Sequence, residues 1–187
     1  MKEILKGKRV SAKELLNYLK SNCENFQYKA PIDLEQIIQC LNIDVEYIED
    51  EKSDILGEVK VENNEPKIII NLSNHMFDER RRFTLAHELG HLCKHIAPND
   101  STEFKDTAKT MKRDKSWSIY EYEANNFAAR LLMPQDLLMI EIKKLIDEIR
   151  QSSGTISQDE FITRLANKFQ VSKSAMMFRL KNLGILK

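Results

Sequence analysis

Apolar and polar positions follow two periods along this chain, and the change from one to the other divides it. Residues 11–22 (SAKELLNYLKSN) carry the helical period, with Ser11 as N-cap and Glu14 three residues on, where it closes a capping box. Pro31 and Asp33 open a second helix with apolar positions at Leu34, Ile37, Ile38 and Leu41. Ile43, Val45 and Tyr47 then alternate with polar residues, as in a half-buried strand. The acidic stretch 49–54 reads as a solvated turn. Two further strands are expected over 55–61 and 67–71, turning at Asn63 and Asn64. Beyond Asn71 the period is helical almost to the end, predicting helices near 78–97, 118–132, 134–151, 158–169 and 173–182. Pro134 suits the first turn of a helix. Ser152, Ser153 and Gly154 mark a joint, and the polar segment 98–117 reads as a loop. Strands followed by helices predict an α+β fold: a small amino-terminal, mostly antiparallel sheet on a helical core, with additional carboxy-terminal helices.

Composition narrows the picture. With 187 residues the chain has the size of one domain, and 42% hydrophobic residues suffice for a core. Lys+Arg and Asp+Glu balance at 29 each, so no global charge draws the protein to nucleic acid or to an anionic membrane. No signal-peptide pattern and no run of 18 apolar residues occurs, which predicts a soluble cytoplasmic protein without membrane attachment. Cys23, Cys40 and Cys93 lie far apart without C-x-x-C spacing, and an odd count in a reducing compartment predicts free thiols.

The candidate chemistry sits at His87-Glu88-Leu89-Gly90-His91, an H-E-x-x-H sequence in a helical context. Histidines four apart share a helix face, and both imidazoles can reach one Zn²⁺ at roughly 2.0–2.1 Å. Leu85, Leu89, Leu92 and Ile96 form a core stripe on the opposite face. Glu88 points near such a metal without binding it, placed to take a proton from an attacking water and pass it to a leaving amine. A catalytic zinc needs a third ligand and an open position. His95 is a poor third ligand, because on a continuous helix it lies about 12 Å along the axis from His87; it reads as a surface or supporting residue. On the helix over 119–133, Glu121 falls within the apolar stripe of Ala124, Phe127, Ala128, Leu131 and Leu132, whereas Glu123 falls outside its edge. A carboxylate on an apolar stripe needs a partner. That partner is the metal, an arginine such as Arg81 or Arg82, or the helix end that Glu121 would cap. Asn125, one turn on, can hold a ligating histidine in one tautomer.

The run 81–91 (RRFTLAHELGH), followed by 121–134 (EYEANNFAARLLMP), resembles the ImmA/IrrE family of zinc metallo-endopeptidases. The upstream PIDLEQIIQCLNIDVEY and the terminal LANKFQVSKSAMMFRLKNLGIL are similar to that family too, so the likeness spans roughly 31–187. It implies a zincin-like fold over a single metallopeptidase domain, 1–187, and the Glu of E-x-x-A-[DN], here Glu121, as third ligand. Asn125 stands where many relatives carry aspartate. The resemblance also implies cleavage of a helix-turn-helix transcriptional repressor, often one encoded in a mobile genetic element.

The rest of the chain offers weaker signals. If the strand 67–71 lies at a sheet edge, Ile69, Ile70 and Asn71 could bind an extended substrate by strand addition; an ordinary internal strand fits as well. His75, Tyr120 and Tyr122 are possible oxyanion donors that no spacing selects. Residues 155–187 read as a helix-turn-helix-like subregion with a local charge excess, six Lys/Arg against Asp159 and Glu160. A zinc-bearing regulatory or DNA-binding module with little peptidase activity is therefore the alternative reading.

Overall fold

Ser11 caps the first helix with the complete reciprocal box: its hydroxyl accepts from the Glu14 amide, and the Glu14 carboxylate accepts from the Ser11 amide at 2.7 Å. The computed structural model describes residues 3–53, 55–63, 65–74, 77–97, 103–107, 115–152 and 154–186. Helices α1 (Ala12–Asn22) and α2 (Leu34–Leu41, capped by Asp33) precede strand β1 (Asp44–Ile48). Strands β2 (Ile55–Glu62) and β3 (Glu65–Asn71) follow, then helix α3 (Asp78–His91). The polar segment beyond it contributes a strand, β4 (Glu103–Thr107), and the chain ends in α4 (Lys115–Leu132), α5 (Gln135–Gln151), α6 (Gln158–Phe169) and α7 (Lys173–Asn182).

The sheet has the order β1-β3-β2-β4. β1 runs parallel to β3, while β2 pairs antiparallel with both β3 and β4. Two expectations change here. The sheet is not confined to the amino-terminal part, because β4 arises within the segment 98–117 that reads as a loop. Of its remaining residues, 115–117 begin α4, while 98–102 and 108–114 lie outside the described ones. In addition, β3 is paired on both sides and so is an internal strand. Strand addition at Ile69, Ile70 and Asn71 is thereby ruled out, since β3 has no unpaired backbone edge. Ile70 is fully buried, and Asn71 exchanges hydrogen bonds with the Asp50 backbone, its amide nitrogen donating to the Asp50 carbonyl at 2.8 Å.

Helix α3 packs against β2, β3 and α4. Its stripe is buried as the period requires, with Leu85, Leu89, Leu92 and Ile96 at 3% exposure or less. The expected continuous helix over 78–97 is interrupted, however: α-helical winding ends at His91, and Leu92–Ile96 form a π-helical turn with Ala97 donating to the Leu92 carbonyl. Such single π turns cluster at functional sites.

Contrary to the expectation of free thiols, Cys23 and Cys40 form a disulfide, their Cα atoms 6.2 Å apart. The segment after α1 folds back along α2, where the Gln27 amide donates to the Gln36 side chain, and this return brings the two cysteines together. Cys93 is free and buried, and burial pushes its thiol up to about 12. No helix among the described residues is long and apolar enough to cross a membrane.

Candidate metal centre

Two small residues set the distance between the helices that carry the centre. A Cβ at Gly90 would lie 3.0 Å from the Ala124 Cα and 3.2 Å from the Phe127 Cβ. With glycine there, α3 and α4 close to backbone contact. Glu121, one turn before Ala124, then stands opposite His87 and His91. His87 and His91 face each other through Nε2 at 2.9 Å. The Glu121 carboxylate places one oxygen 3.2 Å from each of these nitrogens. All three residues are buried, and their donor atoms form one group able to hold a metal ion.

The outer nitrogens define what the inner ones present. His87 Nδ1 lies 3.0 Å from Asn125 Oδ1, an acceptor, so Nδ1 carries the proton and Nε2 faces inward with its lone pair. Both Glu121 oxygens are buried without a hydrogen-bond partner. Lone-pair atoms 2.9–3.2 Å apart repel one another unless a cation lies among them. Tetrahedral ligation at about 2.1 Å sets ligand atoms roughly 3.4 Å apart, close to this spacing. The residues therefore fit a metal. The arginine alternative for Glu121 does not hold: Arg81 pairs with Asp78 at 3.1 Å, and Arg82 donates to the carbonyls of Ile32 and Gln170.

Electrostatics prepare the group. Burial drives His91 down to about 4, against the pull of the neighbouring carboxylate. Burial pushes Glu121 up, yet in acid the His87 and His91 rings, which donate to it once they carry a second proton, outweigh burial and hold the carboxyl at about 2. At neutral pH His91 is thus an uncharged imidazole and Glu121 a carboxylate, the forms that bind cations.

Glu88 is fully buried beside the pair. Its carboxylate lies beneath β2 at Gly57, where a Cβ would fall 2.5 Å from Glu88 Oε1 and 2.9 Å from Thr84 Cγ2. Glycine at 57 leaves the space that the acid occupies, next to a register irregularity in the β2–β4 pairing. Sequence reasoning missed Gly57, since only the folded sheet brings it to the helix. Of the two readings open for His95, surface or support, the structure takes the second: it is 4% exposed and its ring meets that of His91. Burial lowers the His95 pKa, opposed by Glu123. Tyr120 packs edge-on against His95 with ring centroids 4.8 Å apart, and Tyr122 is exposed. His75 lies outside the described residues.

An α+β scaffold carrying two histidines on one helix and a glutamate from the next defines a class, scaffolds able to hold a metal ion on a His₂Glu set, a donor set that catalytic zinc sites use. The sequence profile of peptidase family M78, described as the IrrE N-terminal-like domain, matches residues 38–181. The chain belongs to this peptidase family. It is also similar to "Uncharacterized immunity region protein 2" of Bacillus phage phi105, at 36% identity over 104 residues. That alignment covers 54% of this chain and 60% of the phage protein, so the chain spans less than two thirds of that relative's length.

Proposed function

We propose that this protein is a zinc-dependent endopeptidase of the cytoplasm, with residues 1–187 working as one catalytic unit and with one regulatory protein as substrate. A helix-turn-helix transcriptional repressor is the substrate class we favour; the immunity-region name of the phage relative supports a setting in a mobile genetic element. The observation that carries the reading is the convergence of His87 Nε2, His91 Nε2 and the Glu121 carboxylate within 3.2 Å, beside a buried Glu88.

In this reading His87, His91 and Glu121 hold the zinc, which when bound supplies Lewis acidity to a carbonyl and lowers the pKa of water. Glu88 takes the proton of the attacking water on its carboxylate as the oxygen adds to the scissile carbonyl carbon. It then delivers that proton to the amide nitrogen as the C–N bond breaks, so it starts and ends ionised. Gly57 keeps β2 from displacing this carboxylate. Asn125 orients His87. Extended substrate belongs on a sheet edge, and β4 suits it better than β1: Asp106 of β4 is in register with Gly57 of β2, one strand away from Glu88.

Glu88→Gln tests base against ligand. The variant is expected to retain about one equivalent of zinc while cleavage of the cognate repressor falls on the order of 10²–10⁴-fold. His87→Ala should lose the metal itself. Cleavage at the parental rate by Glu88→Gln would remove the mechanism.

A further inference from the structure

The support of His91 differs from that of His87. His87 rests on an amide oxygen, one step from the ligand. His91 rests on a chain of three residues that ends in the segment before α1. His91 Nδ1 lies 2.9 Å from His95 Nδ1, His95 Nε2 lies 3.1 Å from Glu123 Oε2, and the same oxygen is paired with Arg9 Nη2.

The proton positions along this chain follow from its outer end. A carboxylate only accepts, so the proton shared with Glu123 sits on His95 Nε2. His95 Nδ1 is then a lone pair, and the proton between the two rings belongs to His91 Nδ1. His91 Nε2 is left as a lone pair facing His87 and Glu121. Arg9, which can only donate, holds the Glu123 oxygen in place. The segment carrying Arg9 is itself anchored on the π turn, where the Val10 amide donates to the Cys93 carbonyl at 3.0 Å and Val10 is buried.

We propose that His95, Glu123 and Arg9 are positioning residues that lock His91 in its metal-binding tautomer and ring orientation. The amino-terminal segment, outside the family-matched residues 38–181, is thereby part of the metal centre. The proposal rests on the reading of His87, His91 and Glu121 as metal ligands. Exposure grades the chain: side-chain accessibility rises from 0% at His91 to 4% at His95, 31% at Glu123 and 52% at Arg9. Effects should decline in the same order, because exposed ion pairs are screened by solvent.

The test measures Zn²⁺ dissociation constants by chelator competition, with the Co²⁺ visible spectrum as the coordination signature and unfolding of the metal-free protein as the folding control. Asparagine and leucine have nearly the same shape, but only asparagine offers an oxygen where His95 Nδ1 stands. His95→Leu is expected to weaken binding about 10–100-fold, while His95→Asn stays within about threefold of the parent. Glu123→Ala should cost roughly tenfold and Arg9→Ala about fivefold or less. In the His95→Asn background the link is cut, so Glu123→Ala should add nothing. Equal weakening by His95→Leu and His95→Asn would make His95 a packing residue and overturn the proposal, as would no weakening by either. A parent protein that binds neither Zn²⁺ nor Co²⁺ would remove the metal-centre reading and this proposal with it. A parent that binds, with unchanged variants, would remove the proposal alone.

Discussion

The α3–α4 pair and the α6–α7 pair handle charge in opposite ways. In the first, polar groups turn inward: His87, Glu88, His91, His95 and Glu121 are all buried, and the ligand atoms of three of them converge on one point. In the second, polar groups turn outward and find one another. Arg164 bonds to Glu160, Lys173 pairs with Asp159, and Lys168 reaches Glu141 at 3.7 Å. The one buried charge there, Arg179, donates through Nε to the Met133 carbonyl at 3.0 Å. Burying polar groups without full pairing costs stability. Such a cost is offset where a bound ion recovers it, which is the reading proposed above for α3–α4 and not for α6–α7.

Acid should break this contrast most strongly. His91 has a folded pKa depressed to about 4 against an ordinary 6.5, so the unfolded chain binds the extra proton as pH falls from 6.5 toward 4. Glu121 is depressed to about 2 from 4.5, so its stabilising effect is present above 4.5 and is lost as pH falls toward 2. Both act in the same direction: the metal-free protein should lose stability on acidification, first through His91 and then through Glu121. The His91 step is on the order of 2–3 kcal/mol. Urea midpoints between pH 7 and 4 measure it. His91→Phe should flatten the profile over the upper part of this range, whereas Lys173→Ala should leave its slope alone. A profile of the same slope in His91→Phe would show that His91 is not its source.

A close approach gives the second prediction. Gly57→Ala would force a methyl to 2.5 Å from Glu88 Oε1 and 3.0 Å from its Cδ. Overpacking of this kind costs about 1–3 kcal/mol, and relief requires the Glu88 carboxylate to move. The expected result is a lowered melting temperature with zinc content unchanged and cleavage reduced. Gly184→Ala serves as the comparison: it is also adverse, but for backbone reasons at φ +69°, with nothing within 4 Å of the new methyl. Its cleavage rate should hold. Reduced zinc in Gly57→Ala would mean that the methyl disturbs the ligands and not only the acid.

These pairs also show what a linear chain reveals. H-E-x-x-H, the stripe containing Glu121, and the caps at Ser11 and Asp33 were legible because helix spacing is local and needs no partner strand. Asn125 was legible for the same reason, one turn from Glu121. Gly57, Arg9 and the internal position of β3 were not, because each depends on pairing between segments distant in sequence. β4 hides in a polar segment whose pattern lacks alternation, and it forms by joining an existing strand. For His95 the spacing left two readings open, surface or support; four residues after His91 it shares that ring's face, and only the packing of α4 against it decides for burial.

The smallest expected effects lie on α6 and α7, and they decide whether this pair does more than support the fold. A helix-turn-helix that grips DNA keeps its cations free for phosphate, and each contact steepens the salt dependence of binding. Here Arg164 and Lys173 are engaged with acids of α6, Arg179 is turned inside, and the apolar Phe178 is 64% exposed on the second helix. The turn between the helices uses Gln170 in the left-handed region, at φ 51°. Lys173→Ala and Arg164→Ala should each change stability by about 0–1 kcal/mol, the range of exposed ion pairs. Neither should alter zinc content or repressor cleavage. The parent should not retard duplex DNA in a gel at about 150 mM salt, where weak phosphate contacts are screened. Retardation that weakens with salt and is lost in Lys173→Ala would make α7 a nucleic-acid surface, and the contrast between the two helix pairs would then separate two functions instead of a site and its scaffold.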